Sequence, residues 1–304
     1  MEIITLRDPS SPLTAAFVPN AGMIGTSLSD DGVELLGQRR GLAAYVASHK
    51  TMGIPILYPW ANRLSGNSYG LAGLAGSDDT AVVTLIPGSG GVRADEHGAP
   101  IHGTLAGYPD WRVTTRLESA LTAELDFGSR PELLASFPFP HLLSVAVTLA
   151  DRTLTVRTTV TATTGARVPM CFGFHPYLQL PDVPRAQWRI EAPAMRSRAV
   201  DSRGIPTGAT APRPSTAELL GDTVLDDGYD EVAPGAVFAV SGGDRRIEVC
   251  FDEGYPAAQI FAPGTEDVIC FEPMAAPTDA LRRGGYRVAQ PGEPGVAQFS
   301  IRLS

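Results

Sequence analysis

In the stretch LTVRTTVTAT, Leu154, Val156 and Thr158 fall on one side of an extended chain and Thr155, Arg157 and Thr159 on the other. Successive side chains of a strand point to opposite faces, so this alternation predicts a strand with one buried and one wet face. Similar runs recur as LTAAFVP (Leu13–Pro19), TAVVTLIPG (Thr80–Gly88), LLSVAVTLADRTLTVRTTVTATT (Leu142–Thr164), RIEVCFD (Arg246–Asp252) and VAQFSIRLS (Val296–Ser304). The LADRTL segment joins two of them as a hairpin turn would. Helical periodicity is scarce: Arg39–Lys50 reads as one short helix and Thr216–Asp222 as another, with Gly221 near its stop. Many strands, few helices and 26 prolines predict an all-β fold, an antiparallel sandwich or barrel. No fixed-period repeat is visible, which argues against a propeller or solenoid. No long polar linker divides the chain, so residues 1–304 are expected to form one domain.

Composition narrows the function classes. The net charge is −9, and no run of Lys or Arg exceeds two residues. Nucleic acid and anionic membranes both demand a concentrated positive surface, so neither is an expected partner. No apolar run reaches the ~20 residues of a membrane-spanning helix, and MEIITLRDPSS lacks the basic and apolar segments of a leader. Three cysteines, Cys171, Cys250 and Cys270, with no CxxC, fit reduced thiols better than a disulfide framework. The expectation is a soluble, cytoplasmic protein. Lys50 is the only lysine, hence the only side-chain amine available for Schiff-base chemistry.

Four stretches place polar groups inside apolar, turn-constrained sequence. In GIPILYPWANRLSGNSYGL (Gly53–Leu71), Arg63 follows Tyr58 and Trp60 and precedes a glycine-rich turn. A guanidinium held there offers a fixed fork of donors to a hydroxyl or carboxylate, whereas the blander reading is a surface Arg stacked on Trp60. In DEHGAPIHGTLAGYPDWRV (Asp95–Val113), His97 and His102 lie five apart beside Asp95 and Glu96. A metal site is disfavoured, because a loop broken by Gly98 and Pro100 gives no fixed ligand geometry. A hydrogen-bonding His102, with Gly103 permitting close backbone approach, is the better reading.

The third stretch, MCFGFHPY, would place Cys171, Gly173 and His175 on one face if extended, with Gly173 leaving space on the side His175 uses. Pro176 then ends the ladder. An imidazole at a strand end suits proton transfer, since its unperturbed pKa lies near ~6.5; a corner histidine with no role reads equally well. The fourth, EDVICFEPMAAPTDAL (Glu266–Leu281), puts Val268, Cys270 and Glu272 on one face just before Pro273. A carboxylate entering an apolar site has its pKa raised by desolvation and becomes a usable base, although most glutamates at strand ends are simply exposed.

Taken in order, YPWANRL, PIHG with a following DW, FHPYLQL, LDDGY and FEPM resemble the aldose 1-epimerase (galactose mutarotase) family, over about residues 53 to 281. FVPNAGMIGTSLSDDGVELL is similar to the family's opening strands. The resemblance implies a large antiparallel β sandwich that interconverts the α and β anomers of an aldose sugar by acid/base ring opening. It assigns His175 as general acid and Glu272 as general base, and gives Arg63, His102 and Asp226 to the sugar hydroxyls, with Asp227 beside Asp226 leaving that register open by one residue. Tyr58 and Trp60 are expected to pack on the sugar's apolar face. The chemistry requires no metal and no cofactor, and the chain is expected to act as a monomer or homodimer. Two other readings compete. GIPILYPW resembles a related branch acting on phosphorylated hexoses, which would need a cationic pocket. A sandwich of this kind can also bind sugar without catalysis.

Overall fold

The computed structural model describes residues 1–76 and 78–304. Its largest sheet has nine antiparallel strands in the order Thr216–Leu219, Arg189–Ala192, Ala236–Gly242, Arg245–Glu253, Gly295–Leu303, Thr153–Ala162, His141–Ala150, Ala120–Asp126 and Arg112–Arg116. A second sheet runs Pro206–Arg213, Met195–Val200, Leu225–Asp230, Ala257–Ala262, Ile269–Met274, Gly173–Phe174 and Ile56–Leu57, with Tyr177–Leu178 also paired to Ile269–Met274. A four-stranded sheet, Ile4–Arg7 to Val33–Glu34, comes from the N-terminal segment.

The alternation read in the sequence sets the layers. Leu154, Val156, Thr158 and Val160 are buried while Arg157 is exposed. The hairpin at LADRTL forms with Ala150 opposite Thr153. Its two turn residues, Asp151 and Arg152, take φ of 50° and 57°, the left-handed pair that matches the twist of the flanking strands. Buried Asp8 accepts both of their amide hydrogens. Inner-face aromatics knit the two large sheets together: Phe174 meets Phe299 with ring centroids 5.0 Å apart, and Phe271 meets Phe238 at 5.5 Å. Because Phe271 points into this core, its neighbours Cys270 and Glu272 turn to the opposite face of the strand.

The predicted helix at Arg39–Lys50 forms as Gly41–Ser48. The helix expected at Thr216–Asp222 does not: Thr216–Leu219 is an edge strand paired with Arg189–Ala192. A few tenths of a kcal/mol of helix propensity per residue cannot outweigh a complete ladder on an available sheet edge. All three cysteines are free and buried. No helix among the described residues is long and apolar enough to cross a membrane.

Candidate active site

On the outer face of the second sheet lies a cavity of about 300 Å³. Its floor is strand-borne. Glu272 stands opposite Gln259 in the antiparallel register, and Asp226 lies one strand further out. Gln259 Nε2 donates to Asp226 Oδ1 at 2.7 Å, so the amide fixes that carboxylate over the cavity. Asp227 points to the other face and is placed near Arg213 and Tyr229, so of the two neighbouring aspartates it is Asp226 that lines the cavity.

His175 arrives from the second side. The short strand Gly173–Phe174 pairs with Ile269–Met274, Gly173 standing opposite Met274. An added Cβ at Gly173 would sit 2.7 Å from the Pro273 carbonyl oxygen and 3.1 Å from the Ala61 side chain. The space that glycine leaves is therefore taken by the neighbouring backbone and not by a ligand. Its effect is to draw the two strands together until His175 Nε2 lies 3.2 Å from Glu272 Oε1. Both side chains are buried, at 7% and 3% exposure, and both line the cavity. The His175 ring stacks on Tyr177 at 4.2 Å with 8° between planes, and the Tyr177 hydroxyl lies 3.2 Å from Nε2. Tyr177 is held in turn by Thr51 Oγ1 at 2.6 Å and by Arg39 Nη1, which donates at 2.9 Å.

The remaining wall is built from loops. His102 takes φ 63° and Gly103 φ 70°. A Cβ at Gly103 would run into the Tyr58 carbonyl, so only glycine lets this turn close on the chain beneath it, where Thr104 N donates to Tyr58 O at 2.7 Å. The turn aims His102 at His175, ring centroids 5.7 Å apart. Arg63 is pinned by Asp95, Nε to Oδ2 at 2.9 Å, and by Glu96 at 3.2 Å. Asp95 also accepts the amides of His97 and Ala99, tying the loop to the guanidinium. His97 stays on the surface beside Glu96 while His102 faces the cavity, so the two histidines do not converge.

Burial moves the two central groups in opposite directions. The Glu272 carboxyl is raised well above 4.5, first by desolvation and then by the charge of Asp226, with Arg63 opposing. The His175 imidazole is lowered to about 3 by desolvation and by the cations Arg39 and Arg93. His102 is also pushed well below the usual range, by burial and by the charges of His175, Arg93 and Arg63. The ordinary order of the two groups is thereby inverted: a single proton shared by the pair rests on the Glu272 carboxyl, with the His175 imidazole neutral.

Arg63, His102, Asp226, His175 and Glu272 all meet in this one cavity. Tyr58 and Trp60 do not. Each is 1% exposed in the core. The Tyr58 hydroxyl bonds His141 Nε2 at 2.6 Å, and its ring packs against Phe127, Phe137 and Phe172. Trp60 sits beside Cys171. The expectation that they face a sugar is corrected: their backbone carries the turn that positions Asn62 and Arg63, while their rings fill the sandwich. Sequence reasoning also missed Gln259, Tyr177, Arg39 and Arg93, all in the cavity wall. Tyr177 was within reach, being two residues from His175 and so on its side of an extended chain.

A large antiparallel sandwich of galactose mutarotase-like fold, with a buried histidine–glutamate pair in an outer-face cavity, is the class these features define. The aldose 1-epimerase family model matches residues 3–302, and the chain belongs to that family of epimerase-type enzymes. Among solved structures, a galactose mutarotase-like protein from Clostridium acetobutylicum is similar with a TM-score of 0.80 and 16% identity, covering 100% of this chain and 98% of that one. A protein from Synechocystis sp. PCC 6803 gives 0.78 and 21% over 100% and 96%. An aldose epimerase homologue from C. elegans gives 0.76 and 16% over 100% and 98%. No match to this chain is found among curated proteins.

Proposed function

We propose that the protein is a mutarotase, an aldose 1-epimerase that interconverts the α and β anomers of a hexose, working as one domain in the cytoplasm. The observation that carries this reading is the 3.2 Å approach of His175 Nε2 to Glu272 Oε1 on the wall of a small polar cavity. The two oxygens of a hemiacetal share a single carbon, so an acid and a base that serve both must themselves be close neighbours. Free, buried thiols fit the reducing compartment.

Glu272, as carboxylate, takes the proton of the anomeric hydroxyl. His175, as imidazolium, gives its proton to the ring oxygen. The bond between C1 and the ring oxygen breaks as the C1 carbonyl forms. Rotation about the bond to C1 presents the other carbonyl face, the ring oxygen re-attacks, and both protons return. The open-chain complex holds a neutral carboxylic acid and a neutral imidazole, the arrangement that burial favours. The cyclic complexes hold the ion pair. Both states carry the same number of protons, so the cycle exchanges none with solvent. Arg63, His102, Asp226 and Gln259 supply donors and acceptors for the remaining hydroxyls, as a neutral sugar requires.

The test is the anomerisation rate of freshly dissolved α-glucose and α-galactose, followed by polarimetry or NMR exchange. A rate proportional to enzyme concentration is expected. Saturable sugar binding with an unchanged rate would make the protein a binding module instead.

A further inference from the structure

The hairpin of Met195–Val200 and Pro206–Arg213 is the outermost pair of the second sheet, next to the strand that bears Asp226. Its pairing with that strand covers only Arg196 opposite Asp230 and Ser197 opposite Tyr229. The inner strand continues to Leu225, but the hairpin leaves it there. The register between the hairpin's own strands also shifts between Arg198 and Val200. Such an irregularity bends a strand and increases its twist. The hairpin thus parts from the sheet just short of the level of Asp226.

It is seated again at its tip. Asp201 Oδ1 accepts the amides of Arg203 at 2.8 Å and Ile205 at 3.0 Å, which closes the turn. Ile205 is only 3% exposed, whereas Thr207–Pro212 behind it are all exposed. Gly204 lies against Arg63, where an added Cβ would stand 3.1 Å from Nη1. At the root, Arg198 Nε stands 2.6 Å from Asp230 Oδ2, and the Arg213 guanidinium lies over the Tyr229 ring at 5.3 Å. A two-stranded ribbon is marginal by itself in water, so these two seats are what hold it in place. The result is a strap running from the flank of Asp226 to the guanidinium of Arg63.

Both of those residues line the cavity, and the strap stands outside it along the edge they form. About 300 Å³ is the small end of the range for small-molecule sites, room for one sugar ring and not two. A second ring would have to project past the edge that the strap occupies.

We propose that this strap is the specificity-determining element of the site: it bars sugars extended beyond the ring and confines the substrate to a free monosaccharide. Rejection by a wall acts against the wrong ligand without adding a contact to the right one. For turnover this rests on the mutarotase reading; for binding it does not.

The experiment compares kcat/KM for glucose, maltose and melibiose by NMR exchange. The two disaccharides carry a reducing glucose extended at O4 and at O6. The native protein should favour glucose over both by about 30-fold or more. Removing Ser202–Gly204, so that Asp201 joins Ile205, should cut that discrimination about tenfold while glucose stays within about threefold of native. Arg198→Ala, which frees the root, should cut it about threefold and guards against a folding defect in the shortened chain. A native protein that handles either disaccharide as well as glucose, or a discrimination unmoved in both variants, overturns the strap. Calorimetric titration with glucose and maltose separates the two readings. Native binding of glucose alone, with maltose admitted only after the strap is shortened and no sugar anomerised, would keep the strap and discard the mutarotase. Glucose and maltose anomerised alike would do the reverse.

Discussion

The floor and the rim of the cavity are made differently. The floor, Glu272, Gln259, Asp226 and His175, stands on or directly beside paired strands whose register is fixed by ladder bonds. The rim, Arg63, His102 and Arg93, stands on loops fixed by left-handed residues, by buried Asp95 and by one glycine contact. Chemistry that moves protons over about 3 Å tolerates little play, and paired strands give little. Hydroxyl recognition tolerates more and is where substrate choice can drift. Under the mutarotase reading, the contrast places the reacting pair on the scaffold and the specificity at its edge.

The largest test of this division is Glu272→Gln, which keeps the shape and the contact to His175 but removes the base. Under the mutarotase reading kcat should fall about 10³-fold or more with folding intact by circular dichroism. A fully active variant would end the assignment. The active pair carries one proton in all, so in the native protein the rate should fall as pH rises through the raised titration of Glu272, placing the alkaline limb well above 4.5. The acid limb should lie far lower, near the value of about 3 to which burial lowers His175, where the pair takes up a second proton. Next in size, Gly103→Ala should act on stability. The forced φ of 70° and the clash with the Tyr58 carbonyl should cost at least about 2 kcal/mol, read as a drop in thermal midpoint of several degrees. An unchanged midpoint would show that the rim turn is not held as described. Asp95→Asn releases the rim without touching the floor. KM should rise about tenfold with kcat nearly constant, and a collapse of kcat instead would place Arg63 in the chemistry. The smallest catalytic effect belongs to Tyr58→Phe. Loss of the 2.6 Å bond to His141 should cost about 1–3 kcal/mol in denaturant unfolding, with activity within twofold of native. Lost activity would return Tyr58 to the site.

Legibility in the sequence follows the same division. The strands, the hairpin at Ala150–Thr153 and the faces of Glu272 and Leu154 follow from a period of two, a local property of the chain. His175 and Glu272 were legible as residues in unusual settings, but their adjacency was not, since it depends on a pairing between segments 97 positions apart in the chain, from 175 to 272. Tyr58 and Trp60 misled because aromatic residues beside polar ones describe a core margin as well as a sugar platform. Gln259 carries no local signal; only its register opposite Glu272 makes it matter. Arg39 and Arg93 had the weakest signature of all. A charged side chain in a loop is ordinary until folding brings it to a cavity wall. The helix expected at Thr216–Asp222 shows the same limit, as a neighbouring sheet edge, invisible in one dimension, outweighed a weak local preference and made Thr216–Leu219 a strand.

The absent side chain at Gly173 acts as a gauge block, since its omission sets how far apart two machine parts are mounted. Thickening it by one methyl would shim the histidine-bearing strand away from the glutamate-bearing one while leaving every reactive group in the formula. An enzyme so altered would hold all its tools and be unable to bring two of them to one atom. Any lineage using this pocket for proton exchange is therefore bound to keep nothing at that position, however freely its outer loops are rewritten.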